Sequence, residues 1–329
     1  MTRTTFVTGA TGFIGRYLLR RLLAQDHPVR VLARRPDLLP PDVRRRLDIV
    51  VGDVRDRDAL ARGVRGAHTV LHLAAFARAW SPAAGDFTSV NVDAVRTLLE
   101  LAADANIPRL VHVSTILTLP PFRAAPINGR SQVQTPYEQS KRQGEALVEA
   151  YAAAGHHAVI VHPTRVYGPG PLHDANGVTK AVALYLRGRL RVRLADGDVL
   201  GNYVHADDVA AGILLAAGRG RNGAHYVLGG EDASFRDLLD LASRLSGIRR
   251  VVVPLAPGAA LTVARAAEAW GRVSGHCPIT QSWIRVFLED RRADITPARD
   301  DLTYRPRGLA EGLRETLSWL GRNGRGGAP

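Results

Sequence analysis

The chain contains one cysteine, Cys277, so it can form no disulfide within itself. That absence points to a reducing, cytoplasmic setting. Lysine is almost absent too. Of 44 Lys+Arg residues only Lys141 and Lys180 are lysine, leaving 42 arginines and a net charge of +13. Aromatic residues make up only 6%. A nucleic-acid platform needs aromatics interleaved with basic groups on one face. Here the arginines are dispersed, as at Arg20, Arg21, Arg44, Arg187 and Arg193, and no nucleic-acid partner is expected. No uncharged stretch reaches the roughly 18 residues of a membrane span. The most apolar segment, Val251 to Trp270, carries Arg265 and Glu268 and reads as a packed or interfacial helix. No signal-peptide pattern precedes the first strand-like run. The histidines show no metal-ligand spacing, so no metal is expected; the adjacent His156 and His157 read as packed or solvent-facing.

The chain has 329 residues, 46% of them hydrophobic and 23% charged, enough for one large domain or two intimate ones. Its first half alternates strand and helix. Strand-like runs fall at Thr4–Thr8, Val29–Ala33, Leu47–Val51, Thr69–Leu73, Leu110–Ser114 and Ala158–His162. Helical periodicity falls at Phe13–Ala24, Val90–Ala105 and Tyr137–Ala153. Near-continuous apolar strands separated by helices predict an α/β fold with a parallel sheet covered on both faces. After about Gly168 loops lengthen, and Pro and Gly become frequent. Short strands are expected at Tyr203-Val204 and Tyr226–Leu228, and helices at Phe235–Leu245 and Leu309–Leu320. The expected division is residues 1–168 for the sheet domain and 169–320 for a smaller lobe interleaved with the end of the sheet. Residues 321–329 read as a disordered tail.

Gly9, Thr11, Gly12, Phe13, Ile14 and Gly15 belong to a G-x-x-G-x-x-G loop between the first strand and the first helix. Glycines there allow a tight turn and close approach of a pyrophosphate, and the helix N-terminus offers free N–H groups. This points to a dinucleotide. The second strand ends in Arg34 and Arg35, where an acidic residue would bind a free ribose 2′-hydroxyl. Arginines suit a 2′-phosphate, so NADP(H) is favoured and NAD(H) remains possible. Asp53 and Val54 follow the third strand. Asp53 is placed to accept from an adenine amino group or to cap the next helix. The Asp207-Asp208 pair reads as a cap for a helix over Val209–Ala217.

Tyr137 and Lys141 are four residues apart, which on a helix puts phenol and ammonium on one face. An ammonium beside a tyrosine favours phenolate and lowers its pKa. A tyrosine so tuned can exchange a proton with a substrate oxygen.

These pieces stand in order with others: TGATGFIG at 8–15, GDVRD at 52–56, LHLAA at 71–75, NVDA around Asn91, HVST at 112–115, YEQSK at 137–141, HPTRVYGPG at 162–170 and NYVHADDVA at 202–210. The chain resembles the extended short-chain dehydrogenase/reductase family, also called the NAD-dependent epimerase/dehydratase family. The resemblance implies a doubly wound Rossmann sheet with a small C-terminal substrate lobe. It implies catalytic roles for Ser114, Thr115, Tyr137 and Lys141: Thr115 binds the substrate oxygen, Tyr137 donates the proton, and Lys141 holds the nicotinamide ribose. Leu73, Ala74 and Ala75 would lie along the cofactor, and Pro163 and Val166 would touch the nicotinamide. His162 stands where an arginine is often found. Family dehydratases typically follow the Thr with Asp-Glu, whereas Ile116 and Leu117 follow it here. His162-Pro163-Thr164-Arg165 resembles the dihydroflavonol-reductase and 3β-hydroxysteroid-dehydrogenase branches. Phe76, Trp80, Ile116, Pro169 and Leu172 would line an apolar pocket for a lipophilic or aromatic ketone or alcohol. Packing is the other reading of Phe76 and Trp80. The expected function is an NADPH-dependent ketoreductase. The alternatives are a nucleotide-sugar epimerase or sugar ketoreductase with bound NAD, and a non-enzymatic dinucleotide sensor. A homodimer is a family expectation.

Overall fold

The computed structural model describes residues 3–78, 80–81, 83, 85–121, 135–194, 199–275, 277 and 279–323. Seven parallel strands form the main sheet: β1 (Thr5–Thr8), β2 (Val29–Ala33), β3 (Asp48–Val51), β4 (Thr69–His72), β5 (Arg109–Val113), β6 (Ala158–Pro163) and β10 (His225–Leu228). Their order is β3-β2-β1-β4-β5-β6-β10. This is the doubly wound arrangement, with its reversal of direction between β1 and β4. Strands β1, β4, β5 and β6 are buried over most of their lengths because helices cover both faces.

One face packs on α1 (Phe13–Ala24) and α8 (Ala206–Arg219), where Leu18, Leu22, Val209 and Ile213 are buried against Val7, Val31 and Val111. The other carries α3 (Arg57–Val64), α5 (Ala94–Asp104) and α6 (Pro136–Ala153), with Leu60, Leu98 and Val148 against Phe6, Val70 and Ile160. Two short helices, α2 (Pro41–Arg44) and α4 (Gly85–Thr88), complete this half. The expected helix over 90–105 begins instead with a π-helical turn, Ser89–Asp93, that leads from α4 into α5.

Residues after 168 return to the main sheet through β10 and also build a smaller layer. Strands β7 (Arg165–Tyr167), β9 (Leu200–His205) and β11 (Glu231–Ser234) form a three-stranded sheet, and β8 (Val192–Leu194) pairs with β12 (Val253–Leu255). A second core joins β7, β9, α7 (Gly177–Leu186), α9 (Phe235–Ser246) and α13 (Leu309–Asn323) around Tyr167, Val182, Leu238 and Leu313. The segment 251–270 is a strand followed by α10 (Pro257–Ser274), packed on α11 (Gln281–Phe287) through Ala260, Ala264 and Ile284. Helix α12 (Thr296–Leu302) rests on the main sheet through Ala298 and Leu302. Helix α13 runs past the expected start of the tail at Gly321, and residues 324–329 lie outside the described residues.

The Asp207-Asp208 reading needs correction. The side chain of His205 caps α8, accepting from the Asp207 N–H. Asp207 instead takes Arg21 of α1 at 2.8 Å and Arg307 at 2.9 Å, and Asp208 takes Arg307 at 3.0 Å. The pair therefore ties α1 and the approach to α13 to α8. Its neighbours are guanidinium groups, which satisfy both carboxylates. Among the described residues no group of three His, Cys, Asp or Glu side chains is placed to hold a metal ion. Among them, too, no helix is long and apolar enough to cross a membrane.

Candidate active site

The expected cofactor residues gather at the carboxyl edge of the main sheet. Strand β1 ends at Thr8, and Gly9 follows with φ +73°, a left-handed conformation that favours glycine. A Cβ on Gly9 would stand 2.6 Å from the Leu73 carbonyl carbon and 2.7 Å from the Ala74 nitrogen. The glycine loop thus lies directly against Leu73 and Ala74, with Ala75 next along the chain. Thr8 fixes that approach, accepting from the Ala74 N–H at 3.2 Å and meeting His72 Nδ1 at 2.8 Å. Gly15 closes the loop from below, since a Cβ there would sit 2.8 Å from Ala10 Cα. Phe13 is buried against Tyr17, and Ile14 packs on the same core. Gly12 stands at the N-cap of α1 and supplies no side-chain cap, so the first-turn N–H groups face outward beside Thr11. This cradle fits a dinucleotide pyrophosphate.

The end of β2 carries Arg34 and Arg35 on exposed side chains. Arg35 pairs with Asp37 at 2.9 Å, and Arg34 approaches Asp53 at 3.6 Å. Asp53 is held chiefly by Arg55 at 2.8 Å, which keeps its carboxyl below the ordinary range. Asp56, not Asp53, caps α3. Val54 is buried in the core beneath the loop. Pro163 ends β6, and Val166 lies in β7 at the margin of the other core, the one formed by α1 and α8 on the sheet.

Helix α6 supplies the chemistry. Pro136 at its first position and a Thr135 side chain accepting from the Glu138 N–H start it cleanly. Tyr137 lies in its first turn, with its phenol close to the Thr115 side chain. Thr115 and Ser114 follow β5 directly, and Thr115 caps the short 3-10 turn Ile116–Thr118. One turn along α6, Lys141 is 1% exposed. Its ammonium donates to the Val113 carbonyl at 2.9 Å and to His112 Nε2 at 3.2 Å. Burial holds His112 neutral, well below the usual histidine range, and lowers Lys141 to about 8. Tyr137 departs from the sequence expectation. Part of it is accessible, yet desolvation dominates, with the Thr115 hydrogen bond lowering and Glu145 raising, and the phenol is pushed up to about 12. The ammonium points at the strand rather than at the phenol, so its expected acidifying effect is not expressed in this arrangement.

Three further residues complete the site. Asn91, in the π-helical turn, accepts from the Phe76 N–H at 2.8 Å and donates to Ser140 Oγ at 2.9 Å. It pins α6 to the segment after β4. Glu145 lies four residues beyond Lys141; its carboxylate accepts from Ser114 and from Thr118 at 2.7 Å. His162 Nδ1 stands 3.6 Å from the same oxygen. The spacing Tyr137, Lys141, Glu145 carried a signal for Glu145, because i, i+4 and i+8 share a helix face. Asn91 stood out only as part of the NVDA motif, without a role, and no local pattern marked Thr118.

The expected substrate residues are distributed unevenly. Phe76 packs edge-on against Phe87 at 5.0 Å, with Arg78 over its other side. Ile116 follows Thr115 directly and is half-buried, as is Trp80. Pro169 accepts from the Tyr17 hydroxyl at 2.6 Å. Leu172 packs into the C-terminal core. A cleft of about 630 Å³ lies away from this site, between α7, α9 and α13, lined by Leu186, Leu245 and Leu317.

Residues 5–229 match the model of a family described as the NAD dependent epimerase/dehydratase family. The chain is 29% identical to a putative dihydroflavonol 4-reductase from Synechocystis, over 97% of this chain and 95% of that protein. It is also 29% identical to a 4-hydroxy-2-methyl-3-oxo-4-farnesyl-3,4-dihydroquinoline-1-oxide ketoreductase from Stigmatella aurantiaca, over 99% of this chain and 98% of that one. Among solved structures it is similar to a dTDP-glucose 4,6-dehydratase from Streptomyces venezuelae with NAD bound. The TM-score is 0.73 and the identity 29%, over 97% of each chain.

Proposed function

The chain belongs to the NAD dependent epimerase/dehydratase family, and from that premise we propose that it is an NADPH-dependent ketoreductase. It reduces a ketone on a small lipophilic or aromatic molecule to a secondary alcohol, or runs the reverse. Two of its relatives are named as reductases, and the family description names NAD. The finer reading is carried by one observation. The Tyr137 phenol lies close to the Thr115 side chain, and the residues after Thr115 are the aliphatic Ile116 and Leu117.

Bound at the glycine loop, the nicotinamide cofactor supplies the hydride. The remaining work falls to side chains. The Thr115 hydroxyl donates to the ketone oxygen, where negative charge develops. Tyr137, protonated at neutral pH because burial holds its phenol at about 12, delivers the proton to that oxygen. Lys141 stands one turn behind, its ammonium buried against the Val113 carbonyl and His112, so it would have to turn from the strand end to reach a ribose hydroxyl, and Ser114 supports the strand end beside Thr115. Ile116 and Leu117 have no proton to move, which disfavours elimination of water. Phe76, Trp80 and Ile116 offer apolar surface for the substrate. The farnesylated substrate in the name of the Stigmatella relative is of this lipophilic kind. Arg34 and Arg35, exposed at the end of β2, suit a 2′-phosphate and favour NADPH.

Tyr137→Phe tests this reading. Cofactor binding is retained, because the phenol is not part of the pyrophosphate cradle. Turnover falls by about 10²–10⁴, the usual value of a positioned proton donor. Wild-type turnover in Tyr137→Phe would sink the mechanism. The likeness to a sugar-nucleotide dehydratase favours the second reading, a nucleotide-sugar epimerase. Such an enzyme retains NAD and consumes no NADPH overall.

A further inference from the structure

Lys141 is a buried cation whose direct partners are both neutral, the Val113 carbonyl and the His112 ring. Arg291, also buried, has the Glu289 carboxylate in contact. An ammonium removed from water is costly unless an opposite charge compensates it. Glu145 presents the mirror image. It is 7% exposed, and the groups that meet its carboxylate are the Ser114 and Thr118 hydroxyls and His162. His162 is fully buried, and burial lowers it to about 4, so it is neutral at physiological pH. Two opposite buried charges thus stand one helical turn apart on the same face of α6, each solvated by neutral groups.

We propose that Glu145 is the counter-ion of Lys141 and thereby a positioning residue of the site, holding the ammonium charged and aimed at the end of β5. Its bearing on catalysis rests on the reductase reading; the ion pairing does not. The titratable surroundings are few. From β5 comes His112, with His72 of β4 stacked on it at 5.3 Å. From β6 comes His162, whose Nδ1 faces the Thr115 carbonyl at 3.1 Å and whose Nε2 accepts from His225 Nδ1 of β10 at 3.0 Å. His225 in turn meets the exposed Glu149, one turn beyond Glu145, at 3.3 Å. Tyr137 lies one turn before Lys141. All three buried histidines are held neutral by desolvation, with the Lys141 charge reinforcing the effect. Glu145 is therefore the charge that offsets the burial of Lys141, and it opposes the downward shift.

The two-lysine composition makes the test direct. Carbon-13 labelling at lysine Cε gives two resonances, Lys141 and the exposed Lys180, told apart with Lys180→Arg. In the wild-type chain the Lys141 resonance titrates near 8. In Glu145→Gln its midpoint falls further, because an opposite buried charge on the same helix face favours the charged ammonium. Glu145→Asp, which keeps the charge, restores most of it. A folded Glu145→Gln with an unchanged Lys141 midpoint overturns the pairing. If Glu145→Gln does not fold, Glu145→Asp decides: it draws the carboxylate back by one methylene, so a Lys141 midpoint below wild type supports the pairing and an unchanged midpoint overturns it. The readout needs no substrate. A shifted Lys141 in a chain that reduces no ketone would sink the reductase reading alone, whereas ketone reduction with an unshifted Lys141 would sink only the pairing.

Discussion

The glycine loop makes two separable demands, and three substitutions divide them. Gly9→Ala places a methyl where φ is +73° and where Leu73 and Ala74 backbone atoms stand at 2.6–2.7 Å. The left-handed conformation costs about 1–2 kcal/mol. Overpacking against backbone that cannot step aside costs about 1–3 kcal/mol more. For a chain of this size each kcal/mol moves Tm by about 2 °C, so the melting temperature falls by about 4–10 °C. Gly15→Ala carries the overpacking alone, against Gly9 O and Ala10, partly offset by about 1 kcal/mol of better helix propensity. Gly12→Ala is different. Gly12 is extended, with φ −72° and ψ 175°, and its Cβ would meet only Gly9 O at 3.1 Å. Its stability changes by no more than about 1 kcal/mol. Yet the methyl stands in front of the free N–H groups of α1, so nucleotide binding weakens by about tenfold or more, or roughly 1.4 kcal/mol. Thermal unfolding and NADPH fluorescence titration read the two quantities independently. Wild-type nucleotide affinity in Gly12→Ala, or a wild-type melting temperature in Gly9→Ala, would refute the assignment of the loop.

Asn91→Ala removes the tie between Phe76 and Ser140. It leaves the Phe76 N–H without its acceptor, while Ser140 keeps the Tyr137 carbonyl, and stability falls by about 2 kcal/mol in urea unfolding; no change would mean α6 is held otherwise. Lys141 binds its proton less tightly when folded, at about 8 against 10.5. Its burial cost is therefore fully present below pH 8 and is relieved as pH rises toward 10.5, because the unfolded chain then binds more protons. Stability gains about 2 kcal/mol between pH 8 and roughly 9.5. The gain reverses above pH 10, where the unfolded Tyr137 ionises and the native one does not. Urea midpoints that stay flat from pH 8 to 9.5 would contradict this. Arg34→Asp weakens NADPH binding at least tenfold relative to NADH, since it exchanges a cation for an anion beside the 2′-phosphate. Equal losses for both cofactors would place that phosphate elsewhere.

The sheet was legible because its strands are continuous apolar runs, such as AVIVHP in β6, that only burial on both faces explains. The loop and the Tyr137/Lys141 pair were legible because their spacing is local. The small sheet was less so. Strands β7 and β8 have three residues each, too few to show alternation, and the Asn176 side chain that precedes α7 does not cap it. Asp207 and Asp208 carry a capping signature, but arginines from 186 and 99 residues away claim them. The phenol of Tyr137 differs for a similar reason. Spacing placed Lys141 on its helix face, but the direction of the ammonium is set by Val113 and His112 across the sheet. The importance of His162 was equally hidden, because its partners Thr118 and His225 lie 44 and 63 residues away.

The central claim is that this site reduces a lipophilic ketone with NADPH. The direct measurement is the stoichiometry of NADPH consumed and alcohol formed, across a panel of lipophilic and aromatic ketones run beside nucleotide-sugars. The account predicts one NADPH per alcohol with at least one such ketone and no turnover of the nucleotide-sugars. Interconversion of a nucleotide-sugar with no net NADPH consumption, and no reduction of any ketone, would contradict it.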